Sequence, residues 1–192
     1  REFTRKTSKL VQEHTKSGQI KSTLDIYEIN EKTIKKLEED NASDTEKVFN
    51  LLRSVGITVE RGLNTSPYLH SIGQKAELIS WLYKQRQVDT HEALEKTKAL
   101  VDEITKAKRE QNQKNMPADI FSAYWVLKDE QIEDAEEKAK SMEKIFELYP
   151  YWRKSEEHER KFKQEIQKIF VKSGATVKKA VELTNKIIII LK

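Results

Sequence analysis

Two histidines in this chain stand beside a glutamate in the order that begins a zinc-binding helix, His91-Glu92-Ala93-Leu94-Glu95 and His158-Glu159-Arg160-Lys161-Phe162. A catalytic zinc helix needs its second histidine one turn later, on the same face, so that both imidazoles reach one ion. Leu94-Glu95 and Lys161-Phe162 hold that place instead, so neither stretch completes the pair. Glu136-Glu137-Lys138 has the Glu-x-Lys spacing of a metal-dependent nuclease. That chemistry requires a buried strand beside a further carboxylate, whereas these residues alternate in charge near a helix start, where acids favour the unpaired N–H groups. The five glycines, at 18, 56, 62, 73 and 174, are too scattered to cradle a phosphate, and there is no cysteine for a disulfide or thiolate site. No catalytic, metal-ligating or cofactor-binding residue is assigned in this chain.

The remaining chemistry is contact chemistry. Lys106, Lys108, Arg109 and Lys114 cluster along one polar stretch, and Arg160, Lys161, Lys168 and Lys172 lie opposite Phe162 and Ile166 on another. Both sets could meet DNA phosphates, although Glu157 and Glu165 share the second face and no aromatic or arginine interleaving suggests base reading. Tyr68, Trp81, Tyr83 and Trp125 are of the type that dominates protein interfaces, and at helical spacing they serve equally as core.

The elements that must position these residues are helices. Ser43-Asp44-Thr45-Glu46 is a capping box ahead of Val48, Leu51, Leu52, Val55, Val59 and Leu63, with a kink possible at Gly56. Ser66-Pro67 starts a second helix with proline at its first position, carrying Leu69, Ile72, Ala76, Ile79, Leu82 and Tyr83. Asp89 starts a third with Leu94, Thr97, Val101 and Ile104 on one seam, turning polar from Lys106 to Asn115, where it should project or fray. After Met116-Pro117, Ile120, Phe121, Tyr124, Trp125 and Leu127 leave almost no polar face and predict a central helix. Earlier, Leu10, Val11 and His14 suggest a short helix, 20–29 an extended connector, and Asn30 the cap of a short helix with Ile34 and Leu37. The last helix should face inward through Val177, Val181, Thr184, Ile188 and Leu191.

Two of these patterns meet at a joint. Pro150 disfavours helical geometry at Tyr149 and has no N–H to donate, so a helix running from Asp134 through Ala135, Ala139, Met142, Phe146 and Tyr149 should stop near Leu148. Ser155 then caps a new helix with Glu156, Glu157 and Glu159 in its first turn, carrying Phe162, Ile166, Ile169 and Phe170 inward until Ser173-Gly174 ends it. Phe146, Tyr149, Pro150, Trp152 and Ser155 are expected to form a packed hub.

These patterns, with 35% charged residues, only 5 Gly and 3 Pro, make the chain an all-α, multi-helix bundle with a short extended connector near residues 20–29. Residues 1–42 read as a linking segment and 43–192 as the bundle, together one domain. A net charge of +4 over 36 basic and 32 acidic residues names no partner by itself. The longest apolar run, Ile187 to Leu191, is far short of the roughly 20 residues of a membrane span. The absence of cysteine and of a basic start followed by an apolar core points to a cytoplasmic location, and the start at Arg1 without a methionine to a piece of a longer polypeptide.

The order of signals, Tyr27-Glu28-Ile29-Asn30 before a short helix, Asp40-Asn41 before a capped one, then Phe146-x-x-Tyr149-Pro150-x-Trp152-Arg153-x-Ser155-Glu156, resembles the C-terminal helical domain of the R (restriction and motor) subunit of type I restriction–modification enzymes over nearly the whole chain. The resemblance implies a bacterial or archaeal parent that is an ATP-dependent, site-specific deoxyribonuclease, whose nuclease and translocase domains use ATP and Mg²⁺. None of their motifs occurs here, so no catalytic residue carries over. It further implies that this region docks the R subunit onto the methyltransferase core of modification and specificity subunits, with double-stranded DNA a partner of the full complex. Tyr151, Trp152 and Arg153, and the long helix from Asp89, are the places expected to dock. The alternative reading is a self-standing helical nucleic-acid-binding or regulatory module that shares only the order of helices.

Overall fold

A computed structural model describes residues 26–192, and among them every regular element is a helix. The nine are α1 (Thr33–Glu39), α2 (Asp44–Gly62), α3 (Leu69–Lys84), α4 (Thr90–Lys114), α5 (Ala118–Asp129), α6 (Ala135–Ser141), α7 (Glu143–Leu148), α8 (Glu156–Lys172) and α9 (Val177–Leu191). The expected helix at Leu10, Val11 and His14 and connector residues 20–25 lie outside the described residues. The fold is an all-α multi-helix bundle, divided into two compact units.

The first unit holds residues 26–64 and 69–113. Its connector residues 26–29 form no regular element and are tied down by side chains. Tyr27 donates its N–H to Ser54 Oγ at 2.8 Å and its hydroxyl to Asp40 Oδ2 at 2.5 Å, while Thr33 donates to the Glu28 carbonyl. Asn30 shapes the turn before α1, its Oδ1 accepting from Lys32 N–H, so the helix starts at Thr33. The capping box at Ser43 and Glu46 opens α2, which runs unbroken through Gly56 and buries Val48, Phe49, Leu51, Leu52 and Val55 completely. Gly56 does not interrupt the helix and is itself buried on its packed face. Gly73 of α3 faces Val59 so closely that a Cβ there would lie 3.1 Å from Val59 Cγ1, which is what lets α2 and α3 approach. Asp89 caps α4 by accepting Glu92 N–H at 2.7 Å, and Lys75 reaches Glu103 at 2.8 Å to bind α3 to α4.

The second unit holds residues 65–68 and 114–192. Its centre is α5, where all eight residues from Ile120 to Leu127 are buried, with α6 and α9 packed against it. The turn at 65–68 belongs here because Tyr68 donates its N–H to Ser122 Oγ at 3.0 Å and wedges its ring against Phe121 and Trp125. That grip explains a correction: Pro67 does not open α3, which begins two residues later at Leu69.

Three further expectations are corrected. The helix from Asp134 is not continuous, because Met142 N–H bonds to the Ala139 carbonyl and Ile145 N–H to that of Met142, a tightened turn that separates α6 from α7. The tighter turn brings Ile145 into the core and leaves Phe146 half-buried. The polar tail of α4 does not fray: it stays helical to Lys114 with Ala107 fully buried and residues 108–114 partly or fully exposed, and Asn115, left-handed at φ 49°, ends the helix. On α9 the inward face is Ala180, Leu183, Thr184, Ile187, Ile188 and Leu191, while Val177 and Val181 are exposed.

Candidate functional site

The joint between α7 and α8 forms as its residues dictate. Helix α7 ends at Leu148 and Tyr149 leaves helical geometry, at φ −124° and ψ 59°, before Pro150. Trp152 and Ser155 close two turns back onto Tyr149 and Tyr151 carbonyls, and Ser155 Oγ accepts His158 N–H at 3.3 Å to start α8. The Trp152 ring, only 1% exposed, lies flat on Phe162 with centroids 4.6 Å apart and planes 3° from parallel. Phe146 meets Phe162 edge-on at 4.9 Å, which completes an aromatic cluster from α7, the joint and α8.

Arg153 also stands over the Trp152 ring, its guanidinium carbon 4.4 Å from the ring centroid. The same guanidinium donates through Nη2 to both Asp119 oxygens at 2.9 Å, and through Nε to the Leu191 carbonyl at 2.9 Å. One side chain therefore ties the joint to the start of α5 and the end of α9. Neither Asp119 nor the Leu191 carbonyl was singled out from sequence, because nothing local marks partners 34 and 38 residues away. Glu130 was missed for the same reason. It accepts from Lys186 at 2.5 Å and Lys179 at 3.2 Å, and these hydrogen bonds, chiefly that of Lys186, hold its carboxyl below the usual range.

The three residues expected to dock thus separate. Trp152 is core, Arg153 is exposed but held by Asp119 and the Leu191 carbonyl, and Tyr151 is 64% exposed beside Pro150 and Leu148, itself 67% exposed. The aromatic set separates too. Tyr68 and Trp125 are buried, Tyr83 packs on Phe49 and shares a hydrogen bond with Thr90, and Trp81 is exposed one turn from exposed Leu78.

Of the eight cations proposed for phosphate, four are paired with carboxylates. Arg109 pairs with Glu31, Lys114 with Glu136, Lys161 with Glu157 and Lys168 with Glu165. Lys114 also stands 5.0 Å above the Tyr124 ring. Lys106, Lys108, Arg160 and Lys172 are exposed without a carboxylate within ion-pair distance among the described residues. The hydrogen bond from Lys114, reinforced by one from Lys140, pulls the Glu136 carboxyl down to about 2. Glu136 of the Glu-x-Lys spacing is thus a partner for Lys140 one turn along α6 and for Lys114 at the end of α4.

His158 lies between Tyr149 and Tyr151, with ring centroids 5.9 and 6.1 Å away. His91 sits on the exposed first turn of α4. No three His, Asp or Glu side chains converge around a point where one ion could sit, and no helix is long and apolar enough to cross a membrane, among the described residues. Comparison with protein-family models, with curated proteins and with solved structures finds no match to this chain.

Proposed function

We propose that this chain is an assembly domain that performs no catalysis itself, of the kind that ends the R subunit of type I restriction–modification enzymes, and that it docks the nuclease and translocase parts onto the methyltransferase core. The observation that supports this reading most is the joint: Leu148 and Tyr151 are held outward on a base that Trp152, Phe162 and Arg153 make rigid. Exposed apolar side chains on a preorganised support bind with little ordering cost. The ATP and Mg²⁺ of such a parent have no fitting residues here, since the chain has no clustered glycines to hold a phosphate. They belong to the preceding domains.

The test is co-elution of the full chain with the modification–specificity core of its own genome in size-exclusion chromatography. Tyr151→Ala with Leu148→Ala should weaken the complex by about 10- to 100-fold, the scale of a hot-spot pair, while the helical CD spectrum stays unchanged. Failure of the intact chain to co-elute refutes the reading.

A second role, phosphate contact in the assembled complex, draws support from Lys106, Lys108 and Arg160, which are exposed without a carboxylate within ion-pair distance among the described residues. A gel shift with duplex DNA should then lose affinity steeply with salt, by a slope of about 0.9 per phosphate neutralised. An affinity indifferent to salt refutes this role.

A further inference from the structure

Helices α8 and α9 are joined by a tight turn at Gly174, left-handed at φ 89°, and pack along their length. Near the turn an open groove of about 460 Å³ runs between them, lined by Gln164, Gln167, Lys168, Val171, Lys172 and Val177, with Ala180 at its base. Its walls are unusual for a surface made of charged helix faces. Val171 and Val177 are exposed, as is Val181 one turn beyond Val177, and all three are large apolar side chains left in water. The cause lies in the packing: Phe170 on α8 and Ala180 and Leu183 on α9 take the inward positions, which turns the three valines out.

The rim has one sign of charge in excess. Lys172, which lines the groove, and Lys178, next along α9 from the lining Val177, are exposed without a carboxylate within ion-pair distance among the described residues, while the lining Lys168 is answered by Glu165 at 2.6 Å. Glu182, the next acid along α9, is already shared by Lys179 and Lys186.

We infer that this groove is a docking site for an amphipathic helix whose apolar stripe fills the valine-lined floor and whose flanking Asp or Glu residues meet Lys172 and Lys178. The valine walls decide against a phosphate backbone: valine carbons cannot replace the water that a phosphate gives up, and among the described residues no arginine or aromatic ring lines the groove to receive a sugar or base. An acidic amphipathic helix satisfies both halves of the surface, since its leucine-type anchors recur every three or four residues and its charges sit beside them. The groove lies at the far end of α8 from the joint, and the inference does not depend on the restriction-enzyme reading.

The test titrates the full chain with a fluorescein-labelled amphipathic peptide of about 18 residues, with leucines at helical spacing flanked by glutamates, against a twin carrying lysines in their place. The acidic peptide should bind at least about 10-fold tighter than its twin, the margin falling as salt rises. Val171→Glu and Val177→Glu, both at exposed sites that leave the fold intact by CD, should each reduce its affinity about 10-fold or more. Lys172→Glu should narrow the preference between the twins. Equal binding of both peptides, or no binding by either, overturns the inference. So does a chain that self-associates in light scattering until Val171→Glu separates it, which makes a second copy the occupant. Binding of duplex DNA that depends on Lys172 and is indifferent to Val177 makes the surface a phosphate contact and overturns it equally.

Discussion

Trp152 carries the joint between α7 and α8 because its buried ring stacks on Phe162 and has the Arg153 guanidinium over it. Trp152→Ala should cost about 3–5 kcal/mol, read as a lowered midpoint in denaturant unfolding, since no neighbour can fill the space of a buried indole. Trp152→Phe keeps an aromatic stack and should lose less than half of that. An unchanged midpoint in the alanine variant would place the ring outside the core. Pro150 and Ser155 announce this joint in the sequence, because stopping and starting a helix are decided within a few residues. The Arg153 bridge is not announced. Its acceptors are a carboxylate on α5 and a main-chain carbonyl on α9, and a carbonyl has no sequence signature at all. For the same reason the sequence could nominate Tyr151, Trp152 and Arg153 together as a docking surface, although packing buries Trp152 and ties the exposed Arg153 to Asp119 and the Leu191 carbonyl.

Among the elements, α2 and α3 meet through Gly73 and Val59. Gly73→Leu should destabilise the chain by about 1–3 kcal/mol, because Val59 is β-branched and cannot swing aside. Gly73→Ala should lose less, since better helix propensity offsets part of the crowding. Helix α6 offers a pH prediction. Glu136 in the folded chain titrates at about 2 against an ordinary 4.5, so its pairing with Lys114 and Lys140 is fully present above about 4.5 and lost as pH falls toward 2. Glu136→Gln should therefore lower the melting temperature near neutral pH and converge on the parent chain in acid. A gap that stayed constant across that range would show the ion pairs to be idle. The helix starts at Asp44, Thr90 and Glu156 follow capping residues visible in the sequence. The inward face of α9 was less legible, because four successive isoleucines at 187–190 allow more than one stripe, and only packing selects Ala180, Leu183 and Ile187.

At the scale of the whole molecule, the two compact units each own a core: Phe49, Leu51, Leu52 and Val55 in the first, and Phe121 to Leu127 with Trp152 and Phe162 in the second. Amides of α2 and α5 should be the slowest to exchange with deuterium in their respective units, while the exposed residues 85–87 exchange early. Fast exchange throughout α5 would deny it the central place. Helical class and the centrality of α5 could be read from composition and from the missing polar face. Which unit would own the turn at 65–68 could not, because that depends on Tyr68 finding Ser122, 54 residues further on.

The all-round burial of Ile120 to Leu127 has a consequence for how the protein is made. During translation this oily segment leaves the ribosome before α6 and before α9, whose first residue follows roughly fifty positions behind the end of α5, a delay of a few seconds at ordinary elongation rates. Until the closing helix arrives, a nascent chain must hide those side chains in a transient collapse or lend them to a chaperone. A gene cut short after Ser173 should accordingly yield inclusion bodies where one that runs through Lys192 yields dissolved protein.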